Sequence, residues 1–248
     1  MLRVDSLALA YGATPVLEGA SLEVPSGKFV SLVGPSGSGK SSLLRAVIGL
    51  QQPLAGAIET DIGAGDIGML FQDDALLPWR TAEQNVALGL KLKGVAAGTA
   101  IASARQWITR LGLYGLSERF PRELSGGQRK RVALAQVLAR EPQLILMDEP
   151  FASLDAIVRA RVTQDLVRLV ELRGISVLLV THDLEEALAL SDVVYLLSHG
   201  PRARISGRYE VNLPRPRDVI KARSHPDFAP LLQRLWNDLS REVGERAA

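Results

Sequence analysis

Short runs of residues that are apolar at nearly every position recur along the chain, at Phe29–Val33, Ile67–Phe71, Leu144–Met147, Ile175–Val180 and Val193–Leu197. A run that is apolar throughout reads as a strand covered on both faces, which is the habit of parallel sheets. Helical patterns fill the intervals. One is expected from Ser41 to about Leu50, just before Pro53. A mostly helical block follows from about Leu77 to Leu138, with gaps at Gly94 to Gly98 and at Pro121. Two more run from Leu154 to about Arg173, broken at Gly174, and from Asp183 to Leu190. The first 27 residues behave differently. Leu7, Leu9, Leu22 and Val24 alternate with other residues, which predicts an antiparallel edge.

The order of these elements predicts an α/β chain built on a parallel sheet with an antiparallel β edge. The helical block falls between two strands of that sheet, so it reads as an inserted α-helical subdomain. A single domain of 248 residues is expected, with a core at 1–76 and 139–200, the helical subdomain at 77–138, and a strap and helix at 201–248. The last part is rich in Arg and Pro (Pro214-Arg215-Pro216-Arg217) and suggests an extended strap before a final helix near Pro230–Val243.

Composition narrows the chemistry. The chain has no cysteine, which excludes disulfides, thiol chemistry and cysteine metal sites, and its three histidines are not closely paired. Net charge is +2, unevenly placed: ten of the 29 Lys+Arg but only six of the 27 Asp+Glu fall from Gly200 onward. That basic end suits either a solvated tail or an anionic surface. No run approaches the ~18 apolar residues of a membrane span, and the first residues carry no secretory pattern. A cytoplasmic location is expected, with any membrane role supplied by a partner.

Gly34-Pro35-Ser36-Gly37-Ser38-Gly39-Lys40-Ser41 follows a strand and opens a helix, which is the pattern and the context of a P-loop. Glycines let successive backbone N–H groups converge on one phosphate, and the helix adds its positive end. Lys40 is placed for the β- and γ-phosphates, and the Ser41 hydroxyl for Mg²⁺. The expected nucleotide set extends to Ser42. Leu144-Ile145-Leu146-Met147-Asp148-Glu149 then lifts two adjacent acids to a strand end, where open α/β sheets bind ligands. Asp148 fits a Mg²⁺ acid acting directly or through water, and Glu149 fits the group that polarises the attacking water.

Leu124-Ser125-Gly126-Gly127-Gln128 stands 20 residues before Asp148. With the P-loop, this motif resembles the ATPase subunits of ABC transporters. The likeness runs from end to end and implies a P-loop NTPase (RecA-like) fold, ATP hydrolysis, and ATP with Mg²⁺ as cofactors. It also implies residue roles. Tyr11 matches the aromatic residue that stacks on adenine, and Gln72 the loop glutamine that senses γ-phosphate and Mg²⁺. Ser153-Leu154-Asp155 matches the loop that crosses to the other subunit, and His182 the switch histidine. The resemblance further implies a head-to-tail dimer in which Ser125 and Gly127 close over ATP held by the partner.

Phe71-Gln72-Asp73-Asp74-Ala75-Leu76-Leu77-Pro78-Trp79 is similar to the nitrate, sulfonate and taurine importer ATPases, as are Asn212-Leu213-Pro214-Arg215-Pro216-Arg217-Asp218 and Leu235-Trp236. Importers of thiamine precursors are related. Trp79 reads either as an anchor for a membrane subunit or as a core tryptophan. Gln136 stands where the family usually has Arg. The resemblance implies a separate permease and, indirectly, a solute-binding protein, with no nucleic acid expected. The alternative is a non-transport ABC-type ATPase acting on nucleic acid or the ribosome. Against it, one P-loop and a separation of only 53 positions from Gln72 to Ser125 leave no room for tandem cassettes or a long coiled-coil insertion.

Overall fold

The computed structural model of the chain describes residues 1–152 and 154–244. Two sheets form. β1 (Leu2–Tyr11) pairs antiparallel with β2 (Thr14–Val24) and with β4 (Ala55–Thr60), giving a three-stranded edge in the order β2-β1-β4. The six-stranded core sheet contains β3 (Phe29–Val33), β5 (Ile67–Leu70), β6 (Leu144–Asp148), β7 (Ser176–Val180), β8 (Val193–Leu197) and β9 (Ile205–Glu210), in the order β5-β6-β7-β3-β8-β9. All neighbours are parallel except β8 and β9. The α/β fold class expected from the sequence is the one observed.

Both faces of the core sheet are buried, for a reason visible residue by residue. Val30, Leu32, Leu144, Leu146, Leu178 and Val180 face one way, into a core shared with the antiparallel edge and α1 (Lys40–Val47). Phe29, Val33, Ile145, Met147, Val177 and Leu179 face the other way, into the larger core shared with the remaining helices. Successive side chains of a strand point to opposite faces, so two covered faces require unbroken apolar runs.

The inserted helices are α2 (Ala82–Leu92), α3 (Ala97–Arg110) and α4 (Gly126–Leu138). They follow β5 and precede β6 and are anchored by the buried Val86, Ala104, Trp107, Val132 and Leu134. The loop into α2 is held by a side chain that the sequence patterns do not single out. Asn85 is fully buried, accepts from Leu77 N at 2.7 Å, and donates to the carbonyls of Leu77, Arg80 and Thr81.

α5 (Ala156–Arg173) and α6 (Leu184–Leu190) flank β7, and α7 (Val219–Ala222) and α8 (Phe228–Gly244) close the chain. The region beyond 200 differs from a plain strap. β9 pairs antiparallel with β8, so the core sheet continues past the expected boundary at 200. Its Ile205-Ser206-Gly207-Arg208-Tyr209-Glu210 is too polar to read as a buried run, because an edge strand has one neighbour and a wet face. The strap follows it. Arg215 Nη2 pairs with Asp192, and Arg217 Nη2 donates to Ser191 O at 2.7 Å.

Candidate nucleotide and phosphate sites

The parallel register sets the site. Leu32 of β3 pairs with Val180 of β7, Val180 pairs with Asp148 of β6, and Met147 of β6 pairs with Leu70 of β5. Four adjacent strands therefore end together. Within two residues of those ends come Gly34, His182, Glu149 and Gln72, in one row at the carboxyl edge of the sheet. This edge is where parallel sheets present ligand-binding loops.

The loop 34–39 is shaped by close approach as well as by torsion. A Cβ on Gly34 would lie 2.6 Å from the Leu197 carbonyl oxygen. Gly39 has φ +100° and caps α1, and a Cβ there would lie 2.6 Å from Val16 Cγ1. A side chain at Gly34 would push on the backbone of β8, and one at Gly39 would crowd Val16 and Leu17 from a left-handed backbone that favours glycine. Lys40 is buried and its Nζ donates to Gly34 O and Pro35 O, both at 2.8 Å, across the mouth of the loop. Burial lowers the Lys40 ammonium from its ordinary pKa, and the negative charges of Glu149 and Asp148 oppose that shift. Ser38 is 1% exposed and its hydroxyl has no hydrogen-bond partner among the described residues. A buried orphan hydroxyl in a backbone nest is the donor set a phosphate satisfies. Tyr11 closes the rim: its ring is half exposed and its hydroxyl bonds Ser42 Oγ at 3.1 Å.

Asp148 is the last residue of β6 and accepts from Ser41 Oγ at 2.9 Å. Burial raises the Asp148 carboxyl above its ordinary range, the Ser41 hydrogen bond opposes this, and Glu149 adds to it. A hydroxyl, a buried carboxylate and a neighbouring carboxylate form an oxygen-only set, whose charge Lys40 and Arg45 offset only in part, and such a set suits a hard divalent cation such as Mg²⁺. Glu149 follows with φ +45°, a left-handed conformation uncommon for a residue with a side chain. The twist turns Glu149 N to Val180 O at 2.9 Å, and Glu149 Oε2 sits 3.1 Å from His182 Nδ1. Gln72 lies two residues past β5, with its side chain exposed.

The signature loop lies elsewhere. Ser125 caps α4: its hydroxyl accepts from Gln128 N at 3.3 Å while Gln128 Oε1 accepts from Ser125 N at 2.9 Å. This reciprocal capping box fixes the helix start with its N–H groups facing outward. Ser125, Gly126, Gly127 and Gln128 line a cleft of about 490 Å³ together with Asp155, and no residue of 34–42 is among its described lining. Asp155 caps α5 by accepting from Ile157 N and Val158 N. Ser153, expected in the same crossing loop, lies outside the described residues.

One link between these regions has no sequence motif of its own. Arg159 Nη2 donates to Leu154 O at 3.0 Å, and Nη1 lies 3.7 Å from Asp183 Oδ2. Arg159 thus ties the loop before Asp155 to the residue after His182. Its four-residue spacing from Asp155 is the only trace it leaves in the sequence, and many helix-surface arginines share such a spacing.

Trp79 is 70% exposed, which decides between its two readings in favour of a surface residue. The loop leading to it also lines a groove of about 600 Å³, through Phe71, Asp74 and Ala75. Gln136 lines the same groove from α4.

A glycine-rich loop between β3 and α1, two adjacent acids at the end of the next strand of the sheet but one, and a separate capped glycine loop at the start of α4 define the fold of a P-loop NTPase. Residues 17–152 match the family described as ABC transporter. The chain belongs to that family. It is 40% identical over 240 residues to the bicarbonate transport ATP-binding protein CmpC of Synechocystis sp., covering 92% of this chain and 36% of that protein. The chain therefore spans about a third of the length of that relative. It is 41% identical over 221 residues to the taurine import ATP-binding protein TauB of Escherichia coli O6:H1, covering 87% of this chain and 86% of that protein. The dimeric post-hydrolysis structure of the ATP-binding cassette MJ0796 bound to ADP and Pi superposes with a TM-score of 0.77 at 29% identity. That match covers 86% of this chain and 100% of the other. No helix among the described residues is long and apolar enough to cross a membrane.

Proposed function

We propose that this chain powers an importer of a small solute of the nitrate, sulfonate, taurine or thiamine-precursor kind, as a homodimer docked on a separate permease at the cytoplasmic face of the membrane. A solute-binding protein would deliver the solute to that permease. The observation that carries this reading is the separation of the two anion-binding loops. The phosphate loop ends the core sheet, whereas Ser125–Gln128 lines its own cleft with Asp155. Each is half of a nucleotide site, and a head-to-tail pair of chains completes both.

The chemistry follows from the row of strand ends. Tyr11 stacks on adenine. The backbone of 34–39 with Ser38, Lys40, Ser41 and Ser42 holds the phosphates. Ser41, Asp148 and Gln72 would hold Mg²⁺, which when bound offsets negative charge on the β- and γ-phosphates. Glu149 orients a water and takes its proton as the water oxygen bonds to the γ-phosphorus. The bond from that phosphorus to the oxygen retained by ADP breaks, and phosphate leaves. His182 holds the γ-phosphate and, at 3.1 Å, keeps the Glu149 carboxylate aimed at the water. Ser125, Gly126, Gly127 and Gln128 of a second copy close over the same γ-phosphate, with Asp155 beside them at the crossing. ATP therefore favours the closed dimer, and its loss reopens it. Trp79 and the adjoining groove supply the apolar surface on which a permease segment would rest.

The test is a pull-down. Tagged Glu149→Gln chain is expressed in its native host, membranes are solubilised gently with ATP present, and the co-purifying chains are identified by mass spectrometry. A multi-spanning permease is expected, together with its loss in a Trp79→Ala variant. Ribosomal or DNA-associated chains without a permease would overturn the importer reading.

A further inference from the structure

Lys130 lies one turn into α4, and its side chain is only 4% exposed. A buried ammonium must have its charge and its three donors met, and Lys130 meets all of them with one short segment. Nζ donates to Phe71 O at 3.2 Å and to the Gln72 carbonyl, and pairs with Asp74 Oδ1 at 3.2 Å. The other Asp74 oxygen accepts from Arg129 Nε at 3.1 Å, and Arg129 Nη1 donates to Leu124 O at 2.8 Å. Two consecutive residues of the signature helix thus grip the loop that carries Gln72. One of them also grips the residue just before Ser125.

The grip falls on the Gln72 backbone and leaves its exposed side chain out. The capping box between Ser125 and Gln128 holds the first turn of α4, and from that turn Lys130 reaches the Gln72 carbonyl. Asp74 spans both basic residues, which resists slippage of the loop along the helix.

We propose that Lys130 is a positioning residue for ATP hydrolysis: with Asp74 and Arg129 it locks the Gln72 backbone to the start of the signature helix. Capture of a phosphate by the Ser125 loop then sets the glutamine at the chain's own phosphate loop. The coupling joins the two nucleotide sites of a dimer through one chain. It rests on the reading of Gln72, proposed above, as a group that faces γ-phosphate and metal.

The test uses the full chain with the substitutions Lys130→Met, Lys130→Arg, Asp74→Asn and Gln72→Ala. Steady-state kcat and KM, the Kd of a fluorescent ATP analogue and the melting temperature are measured for each. Lys130→Met and Asp74→Asn are expected to lower kcat about tenfold or more while the nucleotide Kd stays within about twofold, because the phosphate loop is untouched. Lys130→Arg restores most of the rate, since its donors reach the same carbonyls. Adding Lys130→Met to Gln72→Ala lowers kcat no further than Gln72→Ala alone, because both act through one group. Wild-type kcat in Lys130→Met with a loss in Gln72→Ala overturns the inference and leaves the Gln72 reading standing. Wild-type kcat in both overturns both. Multiplying losses in the double variant, or a nucleotide Kd that weakens in step with kcat, make Lys130 a purely structural residue and equally overturn it. Should Lys130→Met not fold, Asp74→Asn carries the same cycle with the same outcomes.

Discussion

Glu149 Oε2 and His182 Nδ1 lie 3.1 Å apart, one just past β6 and the other just past β7. The two residues are far apart in sequence, and the contact exists because Asp148 and Val180 are register partners in adjacent parallel strands. Glu149 meets the histidine from a backbone with positive φ, an uncommon conformation for a residue with a side chain. Replacing Glu149 by Gln keeps the size and the contact to His182 but removes proton acceptance. Hydrolysis is expected to fall about 10²- to 10⁴-fold while ATP still binds, so the variant accumulates as an ATP-bound dimer. Light scattering on a sizing column with ATP and Mg²⁺ reads this directly, and a variant that stays monomeric argues against the composite site.

Lys40 answers two loop carbonyls and the charges of Asp148 and Glu149 from a buried position. Lys40→Ala removes the only side-chain cation of the loop 34–42. Nucleotide affinity is expected to drop by about tenfold or more, with hydrolysis lost in parallel. Titration with a fluorescent nucleotide checks it, and wild-type turnover in this variant would refute the assignment.

Glu186, on the helix after His182, is the acid most displaced by its surroundings. Burial raises its carboxyl from 4.5 to about 6, against a hydrogen bond from Thr181. Asp183 pushes the same way as burial, while Arg159 and His182 oppose it. The folded pKa lies above the unfolded one, so the stability this group contributes is complete below about 4.5 and is lost as pH rises through about 6. Thermal melts of wild type and Glu186→Gln across that window should diverge at the upper end, the variant being the more stable by roughly 1–2 kcal/mol. Parallel curves would show that Glu186 titrates normally.

Asn85 is a structural prediction of a different kind. Its side-chain amide satisfies four backbone groups of the turn before α2, from full burial. Asn85→Ala takes that partner from Leu77 N and Arg80 O, leaves Leu77 O and Thr81 O only their backbone donors, and opens a small cavity. The expected cost is about 2–4 kcal/mol in chemical denaturation. Because the same turn presents Trp79, permease binding should weaken while the nucleotide Kd stays near wild type. Unchanged stability would mean that water replaces the amide.

Much of this molecule was legible without coordinates where the physics is local. A doubly buried strand must be apolar throughout, so β3, β6, β7 and β8 announce themselves. A loop wrapped on a phosphate needs glycines at fixed spacing, so residues 34–41 do so too. β4 and β9 were missed because edge strands bury little and carry no such run. α1 stops at Val47 rather than near Leu50, and α3 begins inside the expected gap at Gly94 to Gly98 and stops at Arg110, well before Pro121, since helix ends depend on capping contacts rather than on periodicity.

By itself, then, the sequence determined the fold class, the phosphate loop and the paired acids, because each follows from the needs of backbone turns and buried strands close to it, whereas the signature motif was legible only through its resemblance to a known family. Only the tertiary structure decided that Trp79 is exposed, that Glu149 meets His182, and that Ser125 and Asp155 share a cleft apart from the phosphate loop. The grip of Lys130 on Phe71, Gln72 and Asp74 belongs with these. All of them are contacts between residues distant in the chain, set by strand register and helix packing. No spacing along the sequence encodes such contacts, because a lysine on a helix reads the same whether it meets water or a loop carbonyl.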